Sequence, residues 1–280
     1  MKKVLIIINI NKDLSIVLAK DIALYLKKKN IESDFLSYDG FCDNFTCSDY
    51  DFVITLGGDG TVLFAARDCV DNNIPIFSVN LGQFGFISAV QQNEWQDSLD
   101  LFLEGKAPFQ LRSMLKADLF RKDKLIYESY GLNDVVVGAR NAARTVSLNV
   151  SYNKTHLCQL KSDGVIICTP TGSTAYSASA GGPIVDPELN AFVLTPINSF
   201  SLSSRPIVLS ADGTIEIFVE PGRTKEICII VDGQEPFALE SGDCVRISCN
   251  DKKIKLINST TEKFYNALRS KLNWTGGPHA

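Results

Sequence analysis

The run Gly57-Gly58-Asp59-Gly60-Thr61 carries the strongest chemical signal in the first half of the chain. It follows the apolar stretch 52–56 and precedes a helical pattern. That places it at the carboxyl end of a strand, where open α/β sheets bind their ligands. Three glycines let the backbone approach a phosphate closely. The helix N-terminus behind them offers free N–H groups and partial positive charge. Asp59 is the informative member. A carboxylate in such a turn repels a phosphate unless it meets a bridging Mg²⁺ or takes a proton from an attacking hydroxyl, and phosphoryl transfer uses both roles. The competing reading is a plain tight turn in which Asp59 caps the helix. The chain has no Gly-x-x-x-x-Gly-Lys-Ser/Thr loop and no Gly-x-Gly-x-x-Gly at this turn, which argues against a P-loop enzyme and an ordinary dehydrogenase. Asn80-Leu81-Gly82-Gln83-Phe84-Gly85-Phe86 repeats the pattern of strand end and glycines. It reads either as a wall of the same cleft or as a structural loop.

Two further groups stand out. Asn133-Asp134 precedes an apolar run; an amide beside a carboxylate can read an adenine edge and a ribose hydroxyl together, although Asn-Asp is also a common turn pair. The stretch 163–183 is more specific. Its apolar strand ends in Thr169-Pro170-Thr171-Gly172-Ser173-Thr174-Ala175-Tyr176-Ser177-Ala178-Ser179, with Gly181-Gly182 just beyond. Hydroxyls and exposed backbone converge there, with the Tyr176 ring available to stack on a base.

The elements that must hold these groups fall into two rhythms. Apolar strands at 4–8, 31–36, 52–56 and 74–79 alternate with helical patterns through Ile16, Ala19, Ala23 and Leu26, then at 61–70 and 95–103. Such alternation gives parallel strands with helices on both faces. After Phe109 the period becomes two, as in Val146, Leu148, Val150 and Tyr152 or Ile215, Ile217 and Val219. Turn pairs such as Asp212-Gly213 separate these runs, as expected for antiparallel sheet. The expected organisation is an α/β domain over 1–109 and a mostly antiparallel all-β domain over 110–257. A last helix over 259–274 opens on the capping-box form Ser259-Thr260-Thr261-Glu262, and its apolar face is expected to return to the first domain.

Composition narrows the classes. A formal net charge of −4 gives no basic footprint for nucleic acid, and Lys27-Lys28-Lys29 reads as a solvated helix end. The apolar run at 4–8 is too short for a signal peptide and no run reaches membrane-span length, so a cytoplasmic protein is expected. Eight cysteines form no Cys-x-x-Cys pair, and only His156 and His279 are available beside them. Reduced, buried thiols are expected, without a zinc site.

Gly57-Gly58-Asp59-Gly60, Asn133-Asp134, the run 169–176 and Asp232-Gly233-Gln234 occur in the order and spacing of the NAD kinase family, which the chain resembles over nearly its whole length. The glycine-acid turn alone is shared with diacylglycerol, sphingosine and phosphofructokinase relatives; the hydroxyl-rich run resembles NAD kinase alone. The resemblance implies transfer of the terminal phosphoryl group of ATP, or of polyphosphate, to the 2′-hydroxyl of the adenosine ribose of NAD. It implies Asp59 as the catalytic acidic residue, Gly57, Gly58, Gly60 and Thr61 as the phosphate-donor loop, and Mg²⁺ bridged by phosphates near Asp59. NAD would be held by Asp59, Gly60, Asn133, Asp134, Arg144, Lys161, Asp163, Thr174, Ala175, Tyr176, Ser177, Ala178, Ser179, Asn198 and Gln234. A pocket completed by a neighbouring subunit, in a homodimer or homotetramer, is also implied. Two positions depart from the family pattern: Lys161 where Arg is frequent, and Phe200 where bacterial members frequently carry His. The rival readings are a lipid kinase, which needs an apolar slot that the hydroxyl-rich run does not supply, and a non-catalytic dinucleotide sensor.

Overall fold

The computed structural model describes residues 2–40, 45–82, 85–141, 144–201, 203–222 and 226–272. Cys42, Gln83, Phe84, Leu202, His279 and the end of the expected last helix, 273–274, lie outside the described residues. Contacts divide the chain into two units, Met1–Arg112 with Lys252–Ala280, and Ser113–Asp251.

The first unit opens with β1 (Lys3–Asn9), α1 (Asp13–Lys28), β2 (Glu32–Tyr38), β3 (Phe52–Gly57), α2 (Asp59–Asp71), β4 (Ile76–Asn80), β5 (Val90–Gln91), α3 (Trp95–Leu103) and β6 (Phe109–Arg112). The second unit contributes β7 (Leu115–Arg121), β8 (Lys124–Gly131), β9 (Asp134–Ala139), β10 (Val146–Tyr152), β11 (Thr155–Ser162), β12 (Gly164–Cys168), a 3-10 turn over Thr171–Thr174, α4 (Tyr176–Ser179), β13 (Ala191–Ile197), β14 (Ile207–Ser210), β15 (Ile215–Val219), β16 (Ile227–Val231), β17 (Phe237–Leu239) and β18 (Cys244–Cys249). The chain then rejoins the first unit through β19 (Ile254–Ile257) and α5 (Thr261–Leu272).

The sheet of the first unit runs β2-β1-β3-β4-β19-β6, with β5 beside β4. All its pairings are parallel except that of β19 with β6. Every residue of β3 is buried, as the unbroken apolar run requires of a strand covered on both faces. Leu18, Ala19, Ile22 and Leu26 of α1 and Leu99 of α3 share one core with Val4, Ile6, Ile54, Leu56 and Phe77. The break between units falls three residues beyond the expected 109, and β19, expected in the β-rich domain, is a strand of this sheet.

The cap of α5 also differs from the expectation. Thr260 Oγ1 accepts the Lys263 N–H at 3.2 Å. Ser259 is buried instead in a polar network, donating to Gln110 Oε1 at 2.9 Å and accepting from Arg112 Nη2 at 3.2 Å.

The second unit holds two antiparallel six-stranded sheets, β11-β10-β15-β18-β7-β8 and β14-β13-β12-β9-β16-β17. Residues of both sheets, among them Leu148, Val150, Val165, Ile167 and Ile229, form one core. β10 alternates buried and half-buried residues, as its sequence does. β12 is buried throughout, because Ile166 and Cys168 point to the opposite face and pack there with Val185 and Val193. Among the described residues no helix is long and apolar enough to cross a membrane.

Candidate active site

In the first unit the chemistry gathers where β3 meets α2. Gly57 ends the strand, Gly58 is extended at φ −134° and caps the helix, and Asp59 is the first helical residue. Asp59 is therefore not the N-cap. A Cβ on Gly57 would lie 2.2 Å from Thr61 Oγ1, so only glycine fits there. A Cβ on Gly60 meets nothing within 4 Å among the described residues.

The Asp59 carboxylate turns toward the second glycine loop. Oδ2 accepts the Phe86 N–H at 2.9 Å, and Oδ1 accepts those of Ile87 at 3.2 Å and Ser88 at 3.0 Å. Gly85 makes this approach sterically feasible, since a Cβ there would sit 2.1 Å from Asp59 Oδ1. A carboxylate has roughly four acceptor positions, and three are filled by this loop. Lys271 Nζ of α5 lies 4.0 Å from Oδ2, and 5.0 Å above the Phe86 ring. The described part of the loop 80–86 thus meets Asp59 through its backbone. Phe86 stands at the end of the run 80–86 read from the sequence, whereas Lys271 was not singled out, because a contact between residues 59 and 271 carries no local pattern.

In the second unit the expected binding residues separate into two clusters. The first surrounds the carboxyl end of β12. Asp232, in the left-handed region at φ +48°, accepts the N–H groups of Leu132 (2.8 Å), Asn133 (2.8 Å) and Asp134 (3.0 Å). Three backbone donors on one carboxylate fix the Asn133-Asp134 turn. Asn133 Oδ1 is buried and has no hydrogen-bond partner among the described residues, an acceptor whose burial without a donor is costly. Asp134 is buried, 6% exposed. Burial, and then the nearby Asp232 charge, push its carboxyl up to about 7. Gln234 Nε2 donates to the Asp232 carbonyl at 3.3 Å.

The hydroxyl-rich run packs against this turn, and most of its hydroxyls are structural. Thr169 Oγ1 donates to the Leu132 carbonyl at 2.6 Å and accepts the Gly172 N–H at 3.0 Å. Ser173 Oγ accepts the Val185 N–H at 3.0 Å. Ser177 is fully buried, 2.8 Å from Thr195 Oγ1. Thr174 Oγ1 donates to the Thr171 carbonyl at 3.1 Å. Ala175 and Ala178 are half-buried, whereas Tyr176 and Ser179 are exposed. A Cβ on Gly172 would fall 2.1 Å from the Asn133 carbonyl oxygen. The backbone of the run thus approaches the Asn133-Asp134 turn closely at this glycine, and the Thr169 N–H donates to the same Asn133 carbonyl at 2.9 Å.

The second cluster lies at the amino end of β12. Asp163 Oδ2 accepts Asn198 Nδ2 at 2.9 Å, with Asn198 at φ +46°. Lys161 is exposed, its carbonyl accepts the Phe200 N–H at 3.0 Å, and its ammonium lies 5.8 Å above the Phe200 ring. The two positions that depart from the family pattern are therefore partners, held by a cation–π contact. Arg144 is exposed just before β10, whose Ser147 pairs with Lys161. Five buried strand residues separate the clusters, about 17 Å at the usual rise per residue.

Among the described residues no group of three or more His, Cys, Asp and Glu side chains is placed to hold a metal ion. The seven described cysteines are free thiols; Cys47 and Cys69 are buried with their sulfurs 3.5 Å apart.

The model of the ATP-NAD kinase N-terminal domain matches residues 37–107, and that of the ATP-NAD kinase C-terminal domain matches residues 132–259. The NAD kinase of Treponema denticola is 45% identical over 277 residues, covering 99% of this chain and 98% of that protein. The NAD kinase of Treponema pallidum (strain Nichols) is 40% identical over 276 residues, 98% of this chain and 90% of that one. Yeast NADH kinase, solved with NADH, superposes with a TM-score of 0.87 at 23% identity, covering 99% of this chain and 89% of that one. The NAD kinase of Archaeoglobus fulgidus, solved with ATP, gives a TM-score of 0.77 at 24% identity, covering 98% of this chain and 99% of that one. At these identities the two structures speak for the fold, whereas the family models and the Treponema relatives settle the lineage: the chain belongs to the NAD kinase family.

Proposed function

We propose that the chain phosphorylates the 2′-hydroxyl of the adenosine ribose of NAD with ATP as donor, and that Asp59 is the residue at the reacting centre. The observation that carries this reading is the lone carboxylate on the first turn of α2, oriented by three backbone donors with one acceptor position left. In a loose phosphoryl-transfer transition state the hydroxyl proton leaves late, so holding the hydroxyl in line matters more than basicity. An oriented carboxylate does that. The N-terminus of α2 and the space beside Gly60 suit the donor phosphates.

The orphaned Asn133 Oδ1 and the buried Asp134 carboxyl suit the adenine amino group and the ribose hydroxyls, which are donors. Tyr176 supplies an exposed ring for stacking, while Thr174, Ala175, Ala178 and Ser179 line its loop. Ser177 serves that loop from inside, through Thr195. Mg²⁺ suits a site with one carboxylate, since it is usually held by one or two carboxylates and the substrate phosphates; when bound it would supply charge neutralisation on the donor. Lipid substrates are disfavoured, because the run that would have to form an acyl slot is filled with its own hydrogen bonds.

The distance between the two clusters supports a further part of the reading. The five residues of β12 between the two clusters span about 17 Å, and we assign Arg144, Lys161, Asp163 and Asn198 to the dinucleotide held by a neighbouring subunit in a homodimer or homotetramer. A cytoplasmic location fits a coenzyme substrate.

The decisive experiment is Asp59→Asn with ATP and NAD. A loss of at least about 10²-fold in kcat is expected, with NAD binding retained. An unchanged turnover removes Asp59 from the mechanism.

A further inference from the structure

Lys12 lies in the turn between β1 and α1, far in sequence from the glycine turn. Its ammonium nevertheless lies against both glycine loops. A Cβ built on Gly82 would be 3.2 Å from Lys12 Nζ, and one built on Gly58 would be 3.8 Å from it. The two glycines thus present bare backbone to the cation. Among the described residues no acceptor or carboxylate pairs with this ammonium. The nearest acid in the turn, Asp59, is directed to Phe86, Ile87 and Ser88, and its ion-pair neighbour is Lys271.

The position is built. Lys12 is the N-cap of α1, where Ser, Thr, Asp and Asn are favoured and lysine is not. Asp13 follows immediately and does not take the capping position. The turn is held from both sides. The Asn9 carbonyl accepts the Lys12 N–H at 3.1 Å and Ser15 Oγ at 2.6 Å. Asn9 Oδ1 accepts the Asn11 N–H at 3.1 Å, and Asn9 Nδ2 donates to Thr61 Oγ1 at 3.4 Å, tying this turn to α2. The Lys12 carbonyl accepts the Ser15 N–H at 2.9 Å. A residue that breaks a local rule while its surroundings fix it in place marks a functional demand. The electrostatics agree. An unpaired ammonium beside the positive end of a helix is unfavourable on its own, and an anion between them relieves both.

We propose that Lys12 is a substrate-contacting residue of the phosphoryl transfer, its ammonium binding the phosphate chain of the donor above Gly58 and Gly82. The inference rests on the reading of the chain as a kinase of NAD. It adds a cation from outside the glycine turn, delivered as a point charge that follows the phosphates.

The test uses the full chain as wild type, Lys12→Met, Lys12→Gln and Lys12→Arg. Steady-state rates are measured with ATP and NAD varied separately, and thermal unfolding with and without inorganic tripolyphosphate. Loss of one charge-assisted contact should lower kcat/KM for ATP roughly ten- to a hundredfold in Lys12→Met and Lys12→Gln. KM for NAD should stay within about twofold, and Lys12→Arg should recover part of the loss, as retention of charge requires. Tripolyphosphate should raise the unfolding temperature of the wild type and not that of Lys12→Met. Equal ATP dependence in wild type and Lys12→Met, an equal loss toward NAD, or an equal tripolyphosphate shift overturns the proposal. The outcomes separate from those of the functional reading. A wild type that binds tripolyphosphate through Lys12 without phosphorylating NAD sinks the reading and keeps the site; an active wild type indifferent to Lys12→Met does the reverse.

Discussion

Asp134→Asn should make the protein more stable at neutral pH while impairing its binding of NAD. The buried Asp134 carboxyl titrates at about 7 in the folded chain and at 3.8 as an ordinary aspartate. Between those values the folded chain holds a proton that the unfolded chain has released. Stability therefore falls as pH rises through this window, and this group adds no further slope on either side. Each pH unit is worth 1.36 kcal/mol, so above pH 7 the ionised Asp134 costs about 4 kcal/mol. Burial is the larger cause and the Asp232 charge the smaller. An asparagine keeps the shape and carries no charge. Its stability should match the wild type near pH 4 and exceed it by up to about 4 kcal/mol near pH 7.5. Urea unfolding of both chains at five pH values measures the difference, and taking the difference cancels the titrating groups that are not coupled to Asp134. A gap of the same size at pH 4.5 and pH 7.5 would refute the reasoning. The binding half has its own readout. Ribose hydroxyls donate to the ionised form, so NAD should draw a proton off Asp134 at pH 6, and calorimetry in buffers of different ionisation enthalpy should lose that signal in the variant.

Gly172→Ala would press a methyl to within 2.1 Å of the Asn133 carbonyl oxygen and 2.6 Å of its Cα. Neither backbone can yield freely, so a loss of about 1–3 kcal/mol is expected, with a larger loss in NAD affinity than in thermal stability; equal affinity for NAD would detach the glycine from the site. Asp232→Asn keeps an acceptor for two of the three N–H groups and sets an amide donor against the third. A cost of about 1–3 kcal/mol is expected, together with a lower titration point for Asp134, which a pH series of unfolding midpoints reads directly. A variant as stable as the wild type at pH 7.5 would show that the turn does not depend on the carboxylate.

Much of this molecule is legible in its sequence because its signals are local. β3, Gly57-Gly58 and α2 form one contiguous strand–turn–helix, and the period-two runs of β10 and β15 state their own exposure. The role of Ser177 was not legible. Its hydroxyl looks ligand-facing among its neighbours, and only the packing of β13 brings Thr195 against it. The same holds for Asp232, whose three donors lie about a hundred residues upstream. The hold of Phe86, Ile87 and Ser88 on Asp59 joins two loops whose glycines are visible while their mutual approach is not. Lys161 and Phe200 appeared as separate departures; their contact depends on the β11–β13 neighbourhood. The division of the binding residues between the two ends of β12 needed its register against β9, in which Cys168 faces Asp134 and Gly164 faces Gly138.

The place of β19 has a consequence for how the chain is made. Among the described residues β6 pairs with this sheet through β19, which lies between it and β4. During synthesis the ribosome releases β6 some 140 residues before that neighbour exists. The β-rich unit, complete by residue 251, can close while the α/β sheet still waits with an open flank at β4. Residues 254–272 thus complete a sheet whose first strands leave the ribosome more than two hundred residues earlier.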